Sequence, residues 1–226
     1  MSHDIEKDAI RVLDALEAGG IALFPADVGF AIVGNHEAAI ERIYAAKQRS
    51  YDKACGMFSN WAMVQDLARL GERELAMVDA VIHRHGLPLS IVTPFRADAP
   101  FFSGLSPRTR TLSSRGETID MLLNAGALHD AIARESYRRK VPVLGSSANQ
   151  SLSGSKYKLA DVEDAVRQAA DVVIDYGPTR YSHPAGMGST IIDLPSCRTI
   201  RKGILFDTIC DILTNDFGAD PRQTAA

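Results

Sequence analysis

The stretch from Val141 to Gly154 decides the fold, and it reads Val-Pro-Val-Leu-Gly-Ser-Ser-Ala-Asn-Gln-Ser-Leu-Ser-Gly. A short β-branched run that breaks into small hydroxyl and amide residues predicts a buried strand followed by a polar loop. In open α/β sheets, ligands bind in the crevice outside the carboxyl ends of the strands. We therefore expect Ser146, Ser147 and Asn149 to lie at a small-molecule site.

Helical and extended patterns alternate on both sides of this stretch. Helices are predicted at residues 5–16, 39–46, 60–70, 72–83, 124–139, 158–169 and 204–213. Strands are predicted at residues 21–24, 31–33, 55–58, 87–95, 109–114, 171–174, 189–194 and 197–200. The alternation predicts an α/β fold of the α+β type, with a single domain over residues 1–215 and a polar C-terminal tail over 216–226.

Composition narrows the class of protein. The chain has 226 residues, 46% of them apolar, which is enough to bury a full core. Its net charge of −3 gives no overall basic field of the kind that binds nucleic acid, so any polyanion contact must be local. Three widely spaced cysteines indicate reduced thiols. The first residues are too charged for a signal peptide and no apolar run is long enough to span a membrane, so we expect a cytoplasmic protein.

Several familiar ligand motifs are missing from the sequence. It contains neither a P-loop nor a Gly-x-Ser-x-Gly elbow. His83 and His85 are two residues apart, point to different faces of a helix, and have no matching cysteines or carboxylates, so no protein metal site is predicted.

Cations and small polar residues at predicted element ends remain as candidates. They are Lys47, Arg49, Lys53, Arg115, Arg201, Ser90, Ser147, Asn149 and Ser189. Such a set suits a triphosphate and a carboxylate, where catalysis is mostly positioning and charge stabilisation. For residues 47–53 the local sequence alone favours a solvated helix end instead. The basic run from Arg134 to Lys140 could contact RNA phosphates, although a solvated helix end is again the favoured interpretation.

Seven short motifs occur in an order that resembles the YrdC-like family of threonylcarbamoyl-AMP synthases. Together they span about residues 5 to 210, and their joint order is more specific than any single motif. They are Pro25 to Ala31, Lys47 to Ala54, Leu87 to Ser90, Arg115, Ser147 to Asn149, Ser189 to Leu194 and Arg201 to Gly203.

The resemblance implies a single YrdC-like domain with a twisted mixed β-sheet flanked by helices. It also implies synthesis of threonylcarbamoyl-AMP and pyrophosphate from ATP, bicarbonate and L-threonine, for tRNA modification, with Mg2+. By this resemblance Lys47 and Arg49 are the catalytic cations. The implied ATP site adds Lys53, Ser90, Ser147, Asn149 and Arg201, and the implied threonine site consists of Asp27, Arg115 and Ser189.

The first loop departs from the family pattern. Ala26 and Val28 stand where the family has threonines, and Ala54 stands where it has proline. A lost hydroxyl can weaken binding by about 1 to 3 kcal/mol if its partner stays unpaired. Two alternatives therefore accompany the synthase: a YciO-like paralogue that binds nucleotide or double-stranded RNA without catalysis, and a carbamoyl-transfer enzyme with another acceptor. Any RNA or tRNA contact is expected to be weak.

Overall fold

The computed structural model describes residues 3–222, which form one mixed sheet with helices on both faces. Its nine strands are β1 (Ala22–Ala26), β2 (Gly29–Gly34), β3 (Gly56–Phe58), β4 (Leu89–Pro94), β5 (Thr118–Leu123), β6 (Leu144–Ser147), β7 (Val172–Val173), β8 (Ile191–Asp193) and β9 (Arg198–Arg201). The predicted mixed, helix-flanked sheet is confirmed.

The α-helices of the described chain are α1 (Ile5–Glu17), α2 (Glu37–Ala46), α3 (Trp61–Leu67), α4 (Glu72–Asp79), α5 (Pro107–Ser113), α6 (Ala127–Arg139), α7 (Asp164–Gln168) and α8 (Phe206–Phe217). One π-helical turn, Ala80–Arg84, continues α4. None of these helices is long and apolar enough to cross a membrane.

The strand order is β7-β1-β2-β6-β3-β5-β4-β8-β9. The pairs β1–β7, β3–β5 and β4–β8 are parallel, whereas the remaining pairs are antiparallel. The strand of the opening stretch, β6, therefore lies between β2 and β3, near the centre of the sheet.

Alternate side chains of the central strands pack on opposite faces of the sheet. On β1, Leu23 belongs to the larger core, which lies under α2, α3, α4 and α8, whereas Phe24 belongs to a second core under α1 and α6. Both side chains are fully buried. Burial of both faces explains why β1 and β2 are almost continuously apolar and lack a polar alternation.

Two predictions between residues 109 and 127 are wrong. Residues 109–114, predicted as a strand, lie almost entirely in helix α5, because Ser106 caps its first turn and Pro107 fits the first helical position. The Ser106 hydroxyl accepts a hydrogen bond from the Thr109 N–H at 3.1 Å. The helix predicted from residue 124 begins only at Ala127, and residues 124–126 connect it to β5, in which buried and half-buried side chains alternate.

Several other elements begin or end at residues that differ from the predicted ones. Strand β6 starts later than predicted and includes Ser146 and Ser147, so that only Asn149 lies beyond its end. The single helix predicted over 158–169 is a short 3-10 turn and α7, because Val162 is extended and buried between them. Helix α8 runs on to Phe217, and the Pro221 carbonyl accepts a hydrogen bond from the Thr199 N–H at 3.1 Å. Residues 223–226 of the predicted tail lie outside the described residues.

Candidate functional site

A cavity of about 900 Å³ lies over the centre of the sheet. Strands β2, β3, β4, β5 and β6 form its floor, and the loops after α2, β6 and β7 form its walls. Nine of the ten predicted site residues line it: Lys47, Arg49, Lys53, Ser90, Arg115, Ser147, Asn149, Ser189 and Arg201. The fold thus brings together residues that are up to about 150 positions apart in the sequence.

Lys47 is the C-cap residue of α2, and it is only 1% exposed. Its Nζ donates hydrogen bonds to the carbonyls of Ser147 and Asn149. Burial, reinforced by repulsion from Arg49, lowers the pKa of Lys47 to about 7. The interpretation of this segment as a solvated helix end is therefore wrong for Lys47.

Arg49 is held entirely by neutral acceptors. Its Nε donates to the Lys53 carbonyl at 3.0 Å, one terminal nitrogen donates to the Ala54 carbonyl at 2.7 Å, and the other donates to the Ser146 hydroxyl at 3.1 Å. These bonds fix the guanidinium in the cavity wall without neutralising its charge.

Arg201 approaches the cavity from β9. Its Nε and one terminal nitrogen donate to the Ser189 carbonyl at 3.1 and 2.8 Å, and the same terminal nitrogen donates to the Ser189 hydroxyl at 2.9 Å. The Ser189 hydroxyl lies 2.9 Å from that of Ser90, and both serines are buried. The two serines and the arginine therefore form one hydrogen-bonded unit between β4, β8 and β9.

The cavity lining carries a net positive charge. Six cationic side chains line the cavity: Lys47, Arg49, Lys53, Arg115, Arg201 and Lys202. None of them forms an ion pair with a carboxylate of residues 3–222. A cleft with several unpaired cations and low-dielectric walls attracts anions and raises their local concentration.

The loop after β6 forms one wall of the cavity, and Glu163 fixes it. The Glu163 carboxylate accepts hydrogen bonds from the Gln150 N–H at 3.2 Å and the Ser153 hydroxyl at 2.7 Å, and it pairs with Lys156 at 2.9 Å. Asn149 is buried at the start of this loop, and its carbonyl is one of the acceptors for Lys47. The polar stretch that opens the sequence is thus tied to α2 on one side and to the start of α7 on the other.

Asp27 is the one predicted site residue that does not line the cavity. The tight turn between β1 and β2 directs its side chain over Gly126, and its carboxylate pairs with Arg180 at 3.5 Å. Its N–H donates to the Ala125 carbonyl at 2.6 Å, which holds the turn in this orientation. Burial raises the pKa of Asp27, although Arg180 opposes that shift.

Arg115 lies at the cavity rim, where it is exposed and donates to the Asp52 carbonyl. The opposite end of the cavity is apolar, with Val28, Phe30, Leu122 and Met187 in its lining. Ala26 and Val28 also belong to a small apolar cluster behind this end, together with Ala125 and Ile204. The hydroxyl groups missing from the first loop are thus replaced by an apolar wall.

Gly56, Asp120 and Lys202 line the cavity and are not among the predicted site residues. The signal for Asp120 was the alternating pattern of residues 118–123, which predicts a strand with 118, 120 and 122 on one face. Lys202 was inside the quoted Arg-Lys-Gly motif, and its ammonium lies 5.2 Å from the centre of the Phe206 ring. No sequence pattern marks Gly56, because its role is to leave space beside Asp120 on the neighbouring strand β5.

The three arginines of the basic run near the end of α6 pair with acids. Arg134 pairs with Glu6 at 2.5 Å, and Arg138 pairs with Glu135 at 2.6 Å. Arg139 pairs with Asp14, Glu17 and Glu135, each at 2.6 Å. These ion pairs agree with a solvated helix end that packs against α1.

The fold and the cavity define the class of protein as a mixed α/β domain with a cationic, ligand-sized cleft. A family model described as Telomere recombination, which unites Sua5, YciO and YrdC, matches residues 14–203. The chain therefore belongs to the Sua5/YciO/YrdC family. Among curated proteins, no sequence matches the chain at a significant level.

Solved structures share this fold at low sequence identity. The hypothetical protein smu.1377c from Streptococcus mutans UA159 is 20% identical with a TM-score of 0.70, over 92% of this chain and 91% of that one. P. abyssi Sua5, complexed with L-threonine, is 22% identical with a TM-score of 0.71, over 97% of this chain and 60% of that one. E. coli YciO is 16% identical with a TM-score of 0.62, over 88% and 90% of the two chains. The chain thus spans only 60% of the length of Sua5.

Proposed function

We propose that the protein is a nucleotidyltransferase that forms threonylcarbamoyl-AMP and pyrophosphate from ATP, bicarbonate and L-threonine. The observation that carries the proposal is the set of unpaired cations facing one cavity in a chain of the Sua5/YciO/YrdC family. The P. abyssi relative complexed with L-threonine supports the choice of amino acid. A full-length HypF structure in the phosphate- and nucleotide-bound form, of which this chain covers 29%, has the same fold in one part, with a TM-score of 0.61 and 14% identity.

The proposed reaction joins three substrates in two steps. The amine nitrogen of threonine bonds to the carbon of bicarbonate with loss of water, which gives a carbamate. A carbamate oxygen then bonds to the α-phosphorus of ATP, and pyrophosphate leaves. Negative charge accumulates on the phosphates in the second step, so fixed cations around them lower its barrier.

The nine predicted site residues that line the cavity each have a proposed role. Lys47, Arg49, Lys53 and Arg201 hold the phosphates, and Mg2+ would arrive with the triphosphate, as is usual for this ion. Ser90, Ser147 and Asn149 contact the nucleotide, while Arg115 and Ser189 contact the amino acid. Asp27 has no role in this scheme, because its side chain faces Arg180 outside the cavity.

The experiment is a pyrophosphate-release assay with purified protein, ATP and Mg2+, in which bicarbonate and the amino acid are omitted in turn. We expect release only when all substrates are present. L-threonine and L-valine should be compared, since valine has the same shape without the hydroxyl. Tight ATP binding without pyrophosphate release for any standard amino acid would refute the proposal.

A specific observation favours a second candidate, a YciO-like protein that binds a nucleotide without making the adenylate. Ala26 and Val28 remove both hydroxyls from the first loop, and E. coli YciO matches over nearly its whole length. Under this candidate, calorimetry would detect ATP binding that is insensitive to added threonine and bicarbonate.

A further inference from the structure

Asp120 lies on the floor of the cavity, at the centre of β5. It is paired in register with Val92 on β4, and its side chain faces the cavity together with those of Thr118 and Leu122. Among the described lining residues it is the only carboxylate, against six cations. The proposed roles of the cations leave this acid without a function.

One oxygen of this carboxylate, Oδ1, is buried and has no hydrogen-bond partner. Buried polar groups in native proteins are almost always satisfied, so an orphan acceptor in a cavity wall calls for an explanation. Burial raises the pKa of Asp120 to about 6, although Arg201, Ser90 and Arg49 oppose the shift. The carboxylate is thus mostly ionised at neutral pH, and its Oδ1 is left without a hydrogen-bond donor.

The surroundings of Asp120 leave room for a ligand beside Oδ1. Two of the three Arg201 guanidinium nitrogens donate to the carbonyl and hydroxyl of Ser189, and Arg201 forms no ion pair with Asp120. On the neighbouring strand, a Cβ at Gly56 would lie 3.1 Å from Asp120 Oδ2, so the glycine keeps that side of the carboxylate open. Rotation about the Cβ–Cγ bond is soft, and it can turn Oδ1 towards the cavity.

A carboxylate in this position repels the anionic parts of a ligand and attracts a cationic hydrogen-bond donor. Leu122, two residues further along the same face of β5, lies about 7 Å away and begins the apolar end of the cavity. A ligand that satisfies both features carries an amino group next to a small aliphatic side chain.

We propose that Asp120 binds the amino group of the co-substrate and so selects an amine-bearing molecule beside the nucleotide. The assignment rests on the proposed function, because it names the residue that recognises the amino acid. The ammonium group donates to the carboxylate, its side chain lies along Leu122, and its own carboxylate lies towards the cationic side of the cavity.

The test compares the wild type with Asp120→Asn, which keeps the shape and removes the charge. Calorimetry with the full chain measures the affinity for ATP, for L-threonine and L-valine, and for their des-amino analogues 3-hydroxybutanoate and 3-methylbutanoate. We expect Asp120→Asn to weaken the binding of both amino acids at least tenfold and to leave the des-amino acids unchanged. ATP should bind equally or more tightly, because a negative charge has been removed.

A second measurement does not depend on the variant. Amino-acid affinity of the wild type should rise as pH increases from 5 to 6.5, since Asp120, beside Arg49 and Arg201, ionises in this range while Lys47, with a pKa of about 7, is still mostly protonated. The des-amino acids should not show this rise. A flat profile for the amino acids would overturn the proposal.

Two other results would also overturn it. Amino-acid affinity equal to wild type in Asp120→Asn, with a changed Mg2+ requirement for ATP, would make Asp120 a metal ligand. Equal losses for amino acids and des-amino acids would make it a structural residue. The proposed function fails separately: Asp120-dependent amine binding without pyrophosphate release would leave this assignment intact and refute the synthase.

Discussion

The pKa of Lys47 makes nucleotide binding depend on pH in a direction that can be worked out. With a pKa of about 7, half of the Lys47 side chains are charged at pH 7.0, and about 3% are charged at pH 8.5. A bound triphosphate holds Lys47 in its charged form, so binding takes up a proton. If only the charged form binds, affinity falls about 16-fold between these two pH values, or about 1.6 kcal/mol.

The assay is calorimetry of ATP binding at pH 7.0, 7.5, 8.0 and 8.5. At pH 7.5, repeats in buffers of different ionisation enthalpy should report an uptake of about 0.8 proton. Asp120, with a pKa of about 6, is mostly ionised throughout this range and contributes little to the slope. Lys47→Met should bind ATP weakly at every pH, with a flat profile.

Lys202→Met is the matched control, because Lys202 also lines the cavity but is exposed. It should lower ATP affinity slightly and keep the wild-type slope. Equal affinity of the wild type at pH 7.0 and 8.5, or parallel slopes for the wild type and Lys47→Met, would refute the assignment of Lys47 to the phosphates.

Three further predictions concern the fold and the site. Gly145→Ala should lower the free energy of unfolding in chemical denaturation by about 3 kcal/mol or more, because its Cβ would lie 2.1 Å from the Ile32 carbonyl oxygen. Gly104→Ala is the control: a Cβ there would meet nothing within 4 Å, so the free energy of unfolding should hardly change. Arg115→Lys should bind threonine as poorly as Arg115→Ala in calorimetry, since lysine cannot grip a carboxylate through two parallel hydrogen bonds; wild-type affinity in Arg115→Lys would contradict that role. Asp120→Asn should melt at a higher temperature than the wild type at pH 8 but not at pH 4. The pKa of Asp120 in the folded protein is about 6, above its unfolded value. The stability that the neutral acid contributes is therefore lost as pH rises through 6, by up to about 3 kcal/mol. An equal difference in melting temperature between wild type and Asp120→Asn at both pH values would disprove this cause.

The sequence by itself determined the family, the fold class and five of the six cations that line the cavity. Short motifs such as Lys47 to Ala54 and Ser147 to Asn149 occur in the same order as in the family, although individual residues of the motifs differ. The motif residues lie at the ends of elements, and the ends of neighbouring strands meet at one edge of a sheet. The cationic nature of the cavity was therefore predictable before the sheet order was known.

Only the tertiary structure decided the state of individual residues. Lys47 follows an amphipathic helix and has the local pattern of a solvated helix end. It is buried because the carbonyls of Ser147, at the end of β6, and Asn149, in the loop after it, accept hydrogen bonds from its Nζ across about 100 residues of sequence. Asp27 matched its motif, but a tight turn and Arg180 take it out of the cavity. The orphan oxygen of Asp120 depends on β4, β9 and the absent side chain of Gly56. The burial and pairing of these side chains are set by contacts between elements that are far apart in the sequence, so the local spacing of residues does not predict them.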